Sequence, residues 1–225
     1  MAQYRKEALT TNHYYHIYSR SIAKFVVLND REEYERFYQL VGVYRHVNFN
    51  YRYSQFLKYT EASQREILDS IALQNNRLVD IVAYCLMPTH IHLLLKQTQD
   101  NGITRFMARL LNGYSRYFNI KHKRTGPLWS GRFKSVLVSR DEQLLHLTRY
   151  IHLNPTSADL VKEPSQWPYS SYEEYVNNHG IEQLCRFRDI IDITPKDYKK
   201  FIRDRKNYQR ELAQIKHLII DNYTG

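Results

Sequence analysis

The chain has 225 residues, 43% of them hydrophobic, and a formal net charge of +10 from 33 Lys and Arg against 23 Asp and Glu. That length and apolar content suffice for a real core, so one domain with an appendage is expected and wholesale disorder is excluded. No apolar run reaches bilayer length, Met1 to Lys6 lacks a signal-peptide core, and two distant cysteines, Cys85 and Cys185, make neither a disulfide framework nor a Cys-based zinc site, so a soluble, cytoplasmic protein with no membrane contact is expected.

His13 to Ser19 alternates aromatic and polar residues and predicts a first strand. Asn29 or Asp30 can cap a helix running to about Tyr44, with Tyr34, Phe37, Val41 and Tyr44 on one stripe. Residues 50–75 are polar, aromatic and helical in pattern. Arg77 to Met87 predicts a second strand, stopped by Pro88, and His90 to Leu95 a third, with Ile91, Leu93 and Leu95 facing away from the histidines. Ile103 to Lys123 is the clearest helix: Ile103, Phe106, Met107, Leu110, Leu111, Tyr114, Tyr117 and Phe118 form a wide apolar face, which makes both tyrosines core residues. Arg105, Arg109, Arg116 and Lys123 share a narrow stripe on its reverse. Arg124 to Gly131 reads as a turn and Arg132 to Val138 as a strand. Ser139-Arg140-Asp141-Glu142 matches a capping box, so a helix is expected from about Arg140 to about Asn154, where Pro155 ends it. The tail is polar and helical in pattern, especially from Pro195 to Ile220.

The charge is concentrated. Asn101 to Arg140 holds no acidic residue but nine basic ones: Arg105, Arg109, Arg116, Lys121, Lys123, Arg124, Arg132, Lys134 and Arg140. Such a block is the electrostatic footprint of a polyanion partner, although a solvated surface has the same composition.

Two further groups carry chemistry. His90 and His92 alternate onto one side of a strand, and neutral imidazoles on one side suit a divalent metal. Tyr150 and Asn154 are one turn apart on a helix, with His146 one turn earlier, on a flank of the stripe Leu144, Leu147, Thr148 and Ile151. Two imidazoles and an amide oxygen suit a cation, and a phenol suits attack on a phosphodiester. With 20 tyrosines and 10 histidines in the chain, neither group is decisive alone. They gain meaning only if the fold brings helix and strand together.

The segments Met87-Pro88-Thr89-His90-Ile91-His92-Leu93-Leu94-Leu95, Gly126-Pro127-Leu128-Trp129-Ser130-Gly131-Arg132-Phe133-Lys134-Ser135 and Arg149-Tyr150-Ile151-His152-Leu153-Asn154-Pro155 resemble, in this order, the single-tyrosine HUH transposases. The REP-associated tyrosine transposases and their insertion-sequence relatives are the nearest in pattern. Tyr15-His16-Ile17-Tyr18-Ser19-Arg20 and Trp167-Pro168-Tyr169-Ser170-Ser171 also fit, so the resemblance covers about Tyr14 to Tyr175. It implies a ferredoxin-like α/β (α+β) domain with an antiparallel sheet over residues 1–175, followed by a helical extension over 176–225. It also implies that His90, His92 and Asn154 hold Mg²⁺ or Mn²⁺, that Tyr150 attacks to give a 5′-phosphotyrosine and a free 3′-hydroxyl, and that His146 or His152 assists proton transfer. The implied partner is single-stranded DNA bearing hairpin or palindromic elements, bound along Arg105, Arg109, Arg116, Lys121, Lys123, Arg124, Arg132 and Lys134. Trp129 is either a base-stacking platform or core, and the protein a monomer or homodimer. The chain departs from the pattern in a helical insertion over residues 50–75, in Thr89 where Asn is common, and in a tail without a counterpart. Two rival functions keep the same fold: a DNA-hairpin-binding protein that does not cut, and a metal-dependent phosphodiesterase that uses water.

Overall fold

The structure, a computed structural model, describes residues 8–177 and 184–204. In chain order the elements are β1 (Tyr14–Arg20), α1 (Arg31–Tyr44), α2 (Tyr53–Phe56), α3 (Glu61–Gln74), β2 (Val79–Met87), β3 (His90–Gln97), α4 (Gly102–Lys121), β4 (Lys134–Val138), α5 (Asp141–Ser157), α6 (Tyr172–Val176) and α7 (Pro195–Arg203). The strands form one sheet in the order β2-β3-β1-β4, and every neighbouring pair is antiparallel. The chain forms two strand–helix–strand units, β1-α1-β2 and β3-α4-β4, whose strands interleave so that β1 and β3 occupy the centre. This is the ferredoxin-like arrangement.

Alternation divides the sheet into two chemically different faces. Directly opposed residues share a face, so Ile17 and Tyr84 lie beside Leu93, while Ser19 and Leu86 lie beside Ile91. Tyr38 of α1 meets Tyr84 with ring centroids 5.9 Å apart, which puts α1 on this apolar face. The α4 helix packs on α1 through Phe37 and Tyr114, whose centroids are 4.9 Å apart. The other face carries Arg20 opposite His90, Tyr18 opposite His92, and His16 opposite Leu94. Helix α5 covers that face, packing on β2, β3 and β4.

Local chemistry accounts for the helix boundaries. Asp30 caps α1 by accepting the Glu33 amide at 3.0 Å. The buried side of α4 is the one the spacing predicts, from Ile103 through Phe118, with one correction: Tyr117 is only partly buried and donates its hydroxyl to Glu32 at 2.8 Å, so it lies at the margin of the core and not within it. Gly102 opens this helix against the Leu78 carbonyl, where a β-carbon would lie 2.1 Å from the oxygen. Residues 50–75 form α2 and α3. The Trp167–Ser171 segment covers the outer edge of β2: Leu86 donates its amide to the Tyr169 carbonyl at 2.9 Å, and Ser171 donates to the Tyr84 carbonyl at 3.0 Å. A sheet edge covered in this way is closed to further strand pairing.

Two expectations at α5 need correction. The residue before its first turn is Arg140, with no side-chain cap, so the Ser139–Glu142 capping box does not form. The helix also passes through Pro155 to Ser157. A proline in the last turn removes only the bond to the Ile151 carbonyl, and Ala158 donates to the Asn154 carbonyl at 3.0 Å to close the end. Helix α7 starts at Pro195, capped by Thr194, which accepts the Asp197 amide at 3.1 Å. The helix expected beyond Arg203 falls mostly on residues 205–220, outside the described residues.

Candidate functional site

Two strands and a loop meet beneath α5. From β3, His90 and His92 point at the helix, with ring centroids 5.1 Å apart. From β1, His16 is stacked beside His92 and shares a hydrogen bond of 3.0 Å between its Nε2 and the His92 Nδ1. From α5, the Tyr150 ring meets His92 edge-on at 5.8 Å and His16 at 6.2 Å. Asn154, one turn on, lies beside the His90 side chain, where it favours the charged imidazole, and donates Nδ2 to the Tyr150 carbonyl at 3.4 Å. The loop before β3 adds Thr89, whose hydroxyl is 3.0 Å from the His90 Nδ1.

Helix and strand therefore converge, and all four of His90, His92, Tyr150 and Asn154 come from one chain. Their setting differs from a phenol on an exposed flank. Tyr150 is only 9% exposed, as is Asn154, and His92 is fully buried. Leu144, Leu147 and Ile151 anchor the helix so closely that the flank itself presses on the sheet.

Burial sets the charge state of the two imidazoles. Desolvation pushes His90 down to about 4; Arg20 adds to the effect and Asn154 opposes it. Desolvation also holds His92 well below the ordinary value, helped by His90, His16 and Arg20. Both rings are neutral at neutral pH and so keep a lone pair for a metal. Among the described residues no three His, Cys, Asp or Glu side chains are grouped as metal ligands. The Asn154 amide oxygen falls outside those residue types and stands beside the pair, where it could serve as a third donor. Neutral imidazoles and an amide fit a divalent cation, and with hard Mg²⁺ or Mn²⁺ water and phosphate oxygens would complete the shell.

The remaining sequence candidates separate. His146 is half-buried, with its ring 5.7 Å from that of Phe201. His152 belongs to a different cluster: Nδ1 is 2.6 Å from the Tyr198 hydroxyl and Nε2 is 2.7 Å from the Ser171 hydroxyl. With both nitrogens engaged there, and two residues round the helix from Tyr150, it is a core histidine and not a proton shuttle. Trp129 is also core, 9% exposed, with Nε1 donating to the Leu111 carbonyl at 3.3 Å. Lys121 is bound by Asp30, Glu32 and Glu33 at 2.9, 3.1 and 3.4 Å. Arg124 donates to Asn119 and to the Pro127 carbonyl. Arg109 donates to the carbonyls of His46 and Phe49. Arg105, Arg116, Lys123, Arg132 and Lys134 are exposed. Because α4 packs on α1 over the apolar face, its basic stripe lies across the sheet from Tyr150, whereas Lys134 lies opposite Tyr18 on the site's own face.

The sequence reading gave no role to His16 or Arg20, although both stand in the first strand. Alternation puts them on one side of β1, but only the register with β3 shows that this side faces the histidines.

An antiparallel four-stranded sheet thus offers a His-x-His pair to a helical tyrosine, the arrangement that the family resemblance implies for a transposase. The sequence model of the family described as "Transposase IS200 like" matches residues 42–154, about half the chain, and the chain belongs to that family. A Haemophilus influenzae chain assigned as a REP-associated tyrosine transposase is 33% identical over 108 residues, 43% of this chain and 61% of that one. The aligned stretch thus spans about three fifths of that relative. The REP-associated tyrosine transposase of Escherichia coli K12 is 26% identical over 165 residues, covering 72% of this chain and 94% of the relative. The solved structure of a REP-associated tyrosine transposase bound to a REP hairpin aligns with a TM-score of 0.52 at 17% identity, over 87% of this chain and 96% of the other, a likeness of fold. No helix among the described residues is long and apolar enough to cross a membrane.

Proposed function

We propose that this chain cleaves and rejoins single-stranded DNA at hairpin-bearing sites through a tyrosine–DNA intermediate, as a DNA transposase. The observation that carries the reading is the placement of Tyr150 against His92, beside Asn154 and His90, within a single chain of this family. The Tyr150 oxygen bonds to phosphorus, the bond from phosphorus to the 3′ oxygen breaks, and the 3′ oxygen leaves as a hydroxyl once protonated. The phenolic proton is given up, directly or through water, and the result is a 5′-phosphotyrosine. Attack by another 3′-hydroxyl reverses the step and joins strands, so bond energy is retained without a nucleotide cofactor. His90, His92 and Asn154 would hold Mg²⁺ or Mn²⁺, which when bound supplies charge neutralisation and orientation for the scissile phosphate. Arg20, opposite His90, adds fixed positive charge beside that phosphate. The named relatives support a REP-type hairpin as the substrate class.

The reading is tested with a labelled single strand carrying a hairpin, in Mg²⁺ or Mn²⁺. Wild type should give a denaturant-resistant protein–DNA adduct. Tyr150→Phe should lower adduct formation by about three orders of magnitude or more, and His90→Ala should do the same while hairpin binding persists. Tyr114→Phe and Tyr117→Phe should still form it. An adduct that survives Tyr150→Phe moves the nucleophile elsewhere; cleavage without any adduct favours a water-using phosphodiesterase; hairpin binding without cleavage favours the non-cutting protein.

A further inference from the structure

On the sheet face away from Tyr150, α1, α4 and the segment around α2 enclose a cleft of about 800 Å³. Its walls combine cations with aromatic rings. The Arg36 guanidinium lies between two tyrosines, 5.0 Å from the Tyr53 ring centre and 4.8 Å from that of Tyr117. Arg52 and Arg116 are exposed on the same lining. Among the described residues, Arg36, Arg52 and Arg116 make no ion pair. The one carboxylate of the lining, Glu32, is already held by Lys121 and by the Tyr117 hydroxyl at 2.8 Å. Tyr51 is 37% exposed, and its ring is held edge-on by Phe49 and Tyr59 at 5.6 and 5.9 Å. Arg109 fixes the segment that carries it, through the carbonyls of His46 and Phe49.

Three uncompensated guanidiniums call for an anion, and their planar forks match phosphate oxygens in pairs. A fixed, accessible ring beside them calls for an unpaired base, since stacking needs a free π-face and tolerates any base. A lining of cations and aromatic rings suits a single strand, whose unpaired bases have free faces to stack. We propose that this cleft is a second DNA site, which holds a single-stranded stretch with a base on Tyr51 and its phosphates on Arg36, Arg52 and Arg116. The proposal rests on the reading of this chain as a DNA-processing protein and adds the position of an unpaired arm of the substrate. Since the cleft lies across the sheet from Tyr150, the strand it holds is flanking DNA and not the scissile phosphate. The inserted segment that supplies Tyr51 and Arg52 thereby gains a function. It also divides the basic stripe of α4: Arg116 belongs to the cleft and Arg109 to its scaffold.

The test uses the full chain carrying Tyr150→Phe, so that binding is read without cleavage, and a fluorescein-labelled oligo-dT strand of about ten nucleotides, within the usual range for one single-strand site. Adding Arg52→Ala and Arg116→Ala should weaken binding at least about tenfold and flatten the log–log salt slope by about 1.4, for two phosphate contacts on a single strand. Tyr51→Ala should weaken binding about tenfold and Tyr51→Trp should restore it. Lys196→Ala with Lys200→Ala, which removes the same charge from α7, should leave affinity within about twofold of the parent if charge alone is not what binds. Melting curves check that each variant is folded. The proposal is overturned if the cleft variants bind like the parent with an unchanged slope, or if polyglutamate of equal charge displaces the strand as well as unlabelled oligo-dT does. Adduct formation by the chain with Tyr150 intact is scored separately. An adduct with cleft variants that bind normally removes only the cleft; no adduct, with strand binding that depends on the cleft, removes only the strand-transfer chemistry.

Discussion

The buried contact between His16 and His92 limits what each ring can do. If His92 offers Nε2 to a metal, Nδ1 must carry the proton and donate it to the His16 Nε2, 3.0 Å away. His16 must then be protonated on its own Nδ1. One hydrogen bond thus sets two tautomers, and His16 acts as a positioning residue. His16→Ala should lower Mn²⁺ affinity by about ten- to a hundredfold, the usual cost of losing such a partner. Calorimetry in the Tyr150→Phe background reads this without catalysis. Nitrogen NMR of the metal-free protein should show His92 protonated at Nδ1 in the parent and a mixture of tautomers in the variant. Unchanged affinity together with an unchanged tautomer would make His16 ordinary core.

At the scale of elements, helix periodicity transferred well from sequence to structure because it reports one face of one local object. The stripe of α1 lies where spacing placed it, as does that of α4 apart from the partly exposed Tyr117, and β1 and β3 begin within a residue of expectation. Ends were less legible. Pro155 forbids a bond that the last turn of α5 does not need, and Ser139 does not cap because Arg140 occupies the position before the first turn. Gly102 shows the same limit with the opposite sign. By propensity, Gly→Ala within a helix should stabilise by about 1 kcal/mol. Here the new β-carbon would fall 2.1 Å from the Leu78 carbonyl oxygen, which is backbone and cannot turn aside. Gly102→Ala should therefore destabilise the fold by about 1–3 kcal/mol, the usual cost of overpacking, measured by urea unfolding; a stabilised variant would mean that α4 can slide off the strand end.

For the whole molecule, the arrangement of the site makes a prediction about its assembly. His90, His92, Asn154 and Tyr150 meet within one chain, so a site need not borrow its tyrosine from another copy. Mixing Tyr150→Phe with His90→Ala, each inactive alone, should therefore restore no adduct; recovery to a sizeable fraction of wild type would show that α5 is exchanged between copies. The molecule also has two faces of different chemistry, with buried neutral imidazoles under α5 and exposed guanidiniums beyond α4. A net charge of +10 gives no hint of this division.

The sequence by itself determined the order and type of the main elements, the pairing of His90 with His92, the spacing of Tyr150 from Asn154, and the family resemblance that joins them. These are local periodicities and ordered motifs, and short-range backbone geometry is enough to express them. Only the tertiary structure decided that His16 supports His92, that His152 is locked to Tyr198 and Ser171, that Trp129 is core, and that the α4 stripe lies across the sheet from the tyrosine. Each of these depends on strand register or on which face of the sheet a helix covers. Register and layering arise from contacts between residues far apart in the chain, and no local pattern of side chains encodes them.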